Sequence, residues 1–206
     1  MRPFPALYDC VMHIADRNRL GEWRRDVVAP AEGDVLEIAA GTGLNFPYYR
    51  AGTIVVATEP DLEMLVRARS RTKGVAAKII LVAADAHSLP FRDGAFGTAV
   101  VALGLCTIPS PARALSELLR VLRPGGTGRF LEHVRIDRPI IGKLQDLLTP
   151  GWRRIAGGCR LNERTVERVR RSGFDIHHLR PHMRGLMMEI AATSPLLHDT
   201  PFTPAT

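Results

Sequence analysis

From residue 34 onward the chain alternates between two hydrophobic periods. Short, mostly apolar and β-branched runs at 34–38, 53–58, 78–83, 96–102 and 128–134 read as strands. Runs that are apolar throughout, rather than every second residue, suit strands covered on both faces. Between them the apolar positions recur every three to four residues, the mark of amphipathic helices. The stretch from Asp61 opens on an N-cap residue and is expected to bury Leu62, Leu65 and Val66 on one face. The stretch from Pro111 carries proline in its first turn and is expected to stop at Arg123-Pro-Gly-Gly126. Residues 8–28 read as a helical segment ahead of the sheet, able to fold over its ligand edge. Beyond residue 140, helical stretches at 140–148 and 162–171 lead to two strands near 174–179 and 185–192, joined through Pro-His-Met as a hairpin. The pattern predicts an α/β fold: a Rossmann-like, seven-stranded, mostly parallel sheet with helices on both faces and a C-terminal antiparallel hairpin. One domain is expected, with residues 1–30 as an N-terminal lid segment, 34–134 as a ligand-binding core and 135–206 as acceptor-side helices and final hairpin.

Composition narrows the class without fixing it. The 206 residues are 46% hydrophobic and 24% charged, the balance of an ordinary globular domain. No run reaches the roughly 18 apolar residues of a membrane span, and the start lacks the apolar core of a signal peptide. A cytoplasmic protein is therefore expected. The net charge of +7 favours anionic partners and leaves room for peripheral contact with an anionic membrane. Arg67, Arg69 and Arg71, and Arg164, Arg168, Arg170 and Arg171, fall on helical stretches and read as solvated faces. Cys10, Cys106 and Cys159 are distant and lack the spacing of a zinc site or redox pair, so they read as inert thiols and no metal is expected.

The candidate chemistry sits where the first strand passes into Ala39, Ala40, Gly41, Thr42, Gly43 and Asn45. In an open parallel sheet, ligands bind beyond the carboxyl ends of the strands, where small residues allow close approach of the backbone. A dinucleotide site would want a third glycine where Phe46 stands, which disfavours NAD or FAD. Glu37, at the end of the strand, suits a cationic amine better than a polyphosphate. Glu59, with Pro60 and Met64 after it, follows the second strand and is placed to accept hydrogen bonds from both hydroxyls of a ribose. Asp85 and Ala86 follow the third, where a carboxylate can take an adenine amine and a backbone N–H a ring nitrogen. Leu103 follows the fourth, and His133 ends the fifth, where it could accept a proton from an acceptor. Tyr8, beside Asp9 in the N-terminal segment, is placed to line the pocket.

Together, Glu37-x-Ala39-x-Gly41-x-Gly43, Glu59, Asp85-Ala86-x-x-Leu89-Pro90-Phe91 and Leu122-Arg-Pro-Gly-Gly126 resemble the motifs of class I S-adenosylmethionine-dependent methyltransferases. Ala39 stands where that family usually has glycine, tolerable if its φ is negative. Further on, Phe130-Leu-Glu-His-Val-Arg135, Pro150-x-Trp152, Gly158-Cys-Arg-Leu-Asn162 and Thr165 resemble small thiol methyltransferases of animals and their bacterial relatives, among them phospholipid N-methyltransferase-like proteins. The resemblance implies S-adenosylmethionine as cofactor, S-adenosylhomocysteine as product and a small-molecule acceptor. A thiol is favoured, because it ionises readily and needs only a modest base such as His133. The alternatives are a phospholipid amine at a membrane surface and a non-catalytic cofactor-binding module. Nucleic acid is disfavoured, since Leu103-Gly-Leu-Cys106 does not resemble the Asn/Asp-Pro-Pro-aromatic motif, and arsenite would want several cysteines converging.

Overall fold

The computed structural model describes residue 9 and residues 12–196. Seven strands form one sheet: β1 Asp34–Ile38, β2 Ile54–Thr58, β3 Lys78–Val82, β4 Phe96–Ala102, β5 Leu122–His133, β6 Asp175–His182 and β7 Met187–Thr193. Their order across the sheet is β3-β2-β1-β4-β5-β7-β6. The pairings from β3 to β5 are parallel, and β7 runs antiparallel to both of its neighbours. This is the mostly parallel, Rossmann-like sheet with a terminal hairpin that the hydrophobic periods imply. Among the described residues, the α-helices that cover the sheet are α1 Gly21–Val28, α2 Leu62–Arg71, α3 Pro111–Val121, α4 Pro139–Ile155 and α5 Thr165–Arg171.

Alternation along β1 explains the two layers of core. Leu36 and Ile38 face one side, with Leu115, Leu118 and Val121 of α3, Phe130, and Phe174 ahead of β6. Val35 faces the other, with Trp23, Val27 and Val28 of α1, Phe46, Tyr49 and Leu131. Each fully buried leucine or valine contributes about 1.5–3 kcal/mol, so α3 alone ties its layer down firmly. Phe130 and Phe174 meet edge-to-face at 5.7 Å, joining β5 to the start of the hairpin.

Several sequence boundaries shift. α2 starts where expected, with the Asp61 carboxylate accepting from Glu63 N at 2.8 Å and Met64 N at 3.3 Å. Its buried residues are Met64 and Ala68, however, while Leu62 and Val66 are exposed by 65% and 66%, so the expected apolar face is rotated. β5 begins at Leu122 rather than 128 because Arg123-Pro-Gly-Gly126 bulges out of a strand whose register to β4 shifts between Phe96 and Thr98. The hairpin strands run through Pro181 and His182, and the turn falls on Met183–Gly185. α4 continues past residue 148 and carries Pro150 inside it. It buries Gly142, Gln145 and Thr149 and leaves Ile140, Leu144, Leu147, Leu148 and Trp152 exposed. Among the described residues no helix is long and apolar enough to cross a membrane.

Candidate active site

β3, β2, β1 and β4 end side by side, and the loops that leave them build a cleft of about 280 Å³. It is lined by Ala39, Glu59, Pro60, Ala84, Asp85, Ala86, His87, Thr107, Ile108 and Pro109. Five sequence-predicted residues, Ala39, Glu59, Pro60, Asp85 and Ala86, thus come together from three separate loops.

Glu59 is the pivot of this cleft. Its Oε2 accepts from Gly41 N at 3.0 Å and its Oε1 from Asp61 N at 3.1 Å. Burial raises its pKa, against the pull of those two amides. Each carboxylate oxygen keeps a further lone-pair site, so Glu59 can hold the glycine loop and still accept from a bound ligand. Asp85 forms an Asx turn, accepting from His87 N at 2.9 Å and from His87 Nδ1 at 2.6 Å. The His87 backbone N–H is the first cause of its lowered pKa. His87 Nε2 in turn accepts from Ser110 N at 3.2 Å, which fastens the loop after β3 to the start of α3.

The loop itself is set by backbone geometry. Gly41 and Gly43 lie at φ +57° and +83°, and a Cβ on Gly43 would meet the buried Phe46 ring at 2.4 Å. Phe46 is therefore the residue that demands this glycine. Ala40 N donates to Thr58 O, and Ala40 O accepts from Gly43 N, each at 3.0 Å, which closes the turn. Ala39 corrects an expectation: its φ is +53°, not negative. Left-handed backbone costs an L-residue about 1–2 kcal/mol. Ala39→Gly is expected to stabilise the fold by about 0.5–1 kcal/mol, after allowing for the greater chain entropy of glycine. Thermal unfolding checks this, and a lowered midpoint would contradict the strain. Leu103 is likewise left-handed, at φ 59°, and its N–H donates to Leu131 O at 2.7 Å.

Glu37 and Asn45 join in a polar group behind the glycine loop. Glu37 is fully buried, accepting from Asn45 Nδ2 and Tyr49 Oη, each at 2.8 Å. Burial pushes its pKa up to about 7 against those bonds and the Arg24 charge. Its carboxylate braces the loop from behind. Asn45 Oδ1 accepts from Arg24 Nη1 at 2.9 Å, and Arg24 Nε donates to Asp16 Oδ1 at 2.9 Å. Arg24 is 2% exposed, and its Nη2 is buried with no partner among the described residues. Such a donor is costly unless something anionic meets it. Sequence reasoning missed Arg24, which reads as one more polar position on an amphipathic helix.

The N-terminal segment reaches this loop as well. Asp9 accepts from Thr42 Oγ1 at 2.6 Å and pairs with Arg67 and Arg71 at 3.2 Å, while Arg71 Nη1 donates to Thr42 O at 2.7 Å. Arg67 and Arg71 are therefore not a solvated face. Arg171 and Glu167 pair within α5 as a surface helix would, while Arg168 pairs with the buried Glu163 ahead of it. Met64 is buried within α2, outside the lining of the cleft. Tyr8 and Cys10 lie outside the described residues.

On the far side of β4, Glu132 is fully buried and accepts from Gly104 N and Leu105 N at 2.8 Å and from Cys106 N at 3.1 Å. Burial raises its pKa to about 7 against these three amides. His133, next along β5, has Nδ1 3.5 Å from Cys159 Sγ, and Cys159 Sγ lies 3.6 Å from Cys106 Sγ. The cysteines expected to be distant and inert are therefore neighbours. Contact with Cys106 and then His133 lowers the Cys159 thiol, while contact with Cys159 and burial raise Cys106. No spacing rule could reveal this grouping, because its members come from the loop after β4, the end of β5 and the loop after α4.

Small residues at the ends of β1 and β3, a carboxylate ending β2 and an orphaned guanidinium N–H behind the loop fit an adenosyl group joined to an amino acid. The strand order and this cleft define the class I methyltransferase architecture. A family model described as a methyltransferase domain matches residues 36–130. A human protein named thiol S-methyltransferase TMT1A is 29% identical over 198 residues, covering 88% of this chain and 81% of its own. A demethylmenaquinone methyltransferase of Renibacterium salmoninarum is 37% identical, over 69% of this chain and 59% of its own. The solved structure of an S-adenosylmethionine-dependent methyltransferase from Mesorhizobium loti superposes with a TM-score of 0.63 at 18% identity, over 85% of this chain and 97% of that one, and bears on the fold alone. The chain belongs to the class I S-adenosylmethionine-dependent methyltransferases, and its cofactor is S-adenosylmethionine.

Proposed function

We propose that this enzyme methylates the sulfur of a small, apolar thiol. Glu59 takes the ribose hydroxyls, Asp85 and Ala86 the adenine edge, and the Gly41–Gly43 turn and the free Nη2 of Arg24 the amino acid end. Ala39, Pro60 and Leu103 give the cofactor close-fitting walls, and Asp9, bonded to Thr42, Arg67 and Arg71, holds the glycine loop from the N-terminal side. Methyl transfer from a sulfonium is an in-line displacement, so the protein needs chiefly to align the acceptor and exclude water. The observation that carries the thiol is the acceptor side of the site. Its carboxylate, Glu132, is committed to three backbone amides, which leaves His133 as the half-buried base at the end of β5. A thiol, with its low pKa, is the acceptor that such a modest base serves. The likeness to a thiol S-methyltransferase over 88% of the chain, against 69% for a quinone-pathway enzyme, adds to this reading.

A second reading, methylation of a phospholipid amine at a membrane surface, draws on the exposed face of α4. Ile140, Leu144, Leu147, Leu148 and Trp152 are flanked there by exposed Lys143 and Arg154, a combination suited to an anionic lipid interface. One experiment separates the two: transfer of labelled methyl from S-adenosylmethionine to apolar thiols, amines, phenols and phospholipid vesicles. Labelled thioether as the dominant product is the expected result. Label in the lipid headgroup selects the second reading, and cofactor binding with no transfer to any acceptor makes the chain a non-catalytic module.

A further inference from the structure

Cys106, His133 and Cys159 stand apart in sequence yet present three soft or borderline donor atoms within 4.8 Å of one another. We infer that they form a binding site for a zinc-class divalent cation, and that the fourth position on that ion takes the sulfur of the acceptor. The second half rests on the thiol acceptor of the reading above, and with His133 Nδ1 taken as a ligand the ion replaces His133 in drawing off the thiol proton; the first half does not rest on that reading.

The distances carry the inference. Two thiolates about 2.3 Å from a tetrahedral zinc stand roughly 3.8 Å apart, and a thiolate and an imidazole nitrogen about 3.6 Å apart. The Cys106 and Cys159 sulfurs lie at 3.6 Å, and Cys159 Sγ and His133 Nδ1 at 3.5 Å. A disulfide would need about 2.05 Å between the sulfurs, so the two thiols are unbridged and their spacing suits a shared ion. Two thiolates also cancel the charge of a divalent ion, so Cys106 and Cys159, exposed by 1% and 6%, can hold it without burying net charge.

The ligands are held from behind, as metal ligands need to be. Arg160 N donates to Cys106 O at 2.9 Å, and the Arg160 guanidinium donates to Leu105 O at 3.1 Å and to Ile108 O at 2.6 Å, fastening the two cysteine loops together. Gln145 Nε2 donates to Val134 O at 3.1 Å and to Leu161 O at 2.7 Å, one residue beyond His133 and two beyond Cys159. No fourth His, Cys, Asp or Glu joins the group among the described residues, which leaves one tetrahedral position open, as in catalytic rather than structural zinc sites. Cys106 directly precedes Thr107 and Ile108, which line the cofactor cleft. The three donors thus adjoin the loop that lines that cleft, which is where the proposal brings the acceptor in.

The chemistry balances without any oxidant or reductant. A coordinated thiol gives up its proton to solvent. A sulfur electron pair then forms the bond to the methyl carbon while the sulfonium C–S bond breaks, its pair remaining on S-adenosylhomocysteine. The product thioether is neutral and a poor ligand, so it leaves.

The test is a titration of the metal-free, phosphine-reduced full chain with Co2+, read by absorbance. Expected are one equivalent bound, a thiolate charge-transfer band, tetrahedral d–d bands and a shift of those bands when an apolar thiol is added. Cys106→Ser and Cys159→Ser should each weaken uptake at least tenfold, and Zn2+ should raise the melting temperature of the unaltered chain. Absence of the band in the unaltered chain, or an equal band in the two serine variants, overturns the site. Bands that ignore added thiol, or thiol methylation undiminished by a chelator, overturn the coordination step and leave the thiol reading standing. Metal uptake without thiol methylation overturns the thiol reading and the coordination step with it, and leaves the metal site standing.

Discussion

Glu59→Ala is expected to weaken S-adenosylmethionine binding by about 100-fold. A hydrogen bond to a charged group is worth roughly 1.5–3 kcal/mol, so loss of two ribose contacts amounts to about 3 kcal/mol at the low end, and each 1.4 kcal/mol is a factor of ten. Part of the loss is indirect, since Gly41 N and Asp61 N give up their acceptor and the glycine loop loosens. Glu59→Gln, which keeps an acceptor oxygen, should recover part of the affinity. Calorimetric titration with the cofactor measures both, and His133→Ala is the control, expected to leave cofactor affinity within a few-fold of the parent. Equal weakening by Glu59→Ala and His133→Ala would contradict the separation of cofactor and acceptor ends.

The second large effect belongs to stability. In Glu132→Ala, the amides of Gly104, Leu105 and Cys106 are left without their acceptor in a site closed to water. A buried group stranded in this way costs about 1–3 kcal/mol, so a loss of at least 3 kcal/mol is expected, a fall in melting temperature of roughly 6–12 °C for a domain of this size. Glu132→Gln keeps an oxygen for two of the three amides and sets its NH2 against the third, so its loss should be intermediate. Denaturant unfolding of the three proteins decides the matter. An alanine variant as stable as the parent would mean that the loop after β4 holds itself.

The sheet could be read in the chain because doubly covered strands are short and apolar, a pattern that needs no knowledge of neighbours. Glu59, Asp85 and the Gly41–Gly43 turn were legible for a related reason: each follows directly on a strand, so parallel packing alone sends them to one edge. Other features escaped because they depend on what packs against them. Leu62 and Val66 look like a core face, yet α2 turns Met64 and Ala68 inward instead. The sign of φ at Ala39 cannot be inferred from its methyl group, and Glu37 is turned inward by Asn45 and Tyr49, 8 and 12 residues away. Arg24 and the Cys106, His133 and Cys159 group are long-range meetings, without a local period to announce them. Arg123-Pro-Gly-Gly126 reads as a turn because it is one, set inside a strand that resumes beyond it.

α4 inverts the usual arrangement of a surface helix. Its Gln145 and Thr149 side chains are turned to the protein body, Gln145 bonding Val134 O and Thr149 the helix's own Gln145 O, and its large aliphatic side chains meet the medium. A stripe of that kind is wetted at a free-energy cost that any oily neighbour relieves. Protein concentration, detergent and ionic strength therefore become variables of any assay on this enzyme, because each changes what that stripe touches while the catalytic centre stays the same.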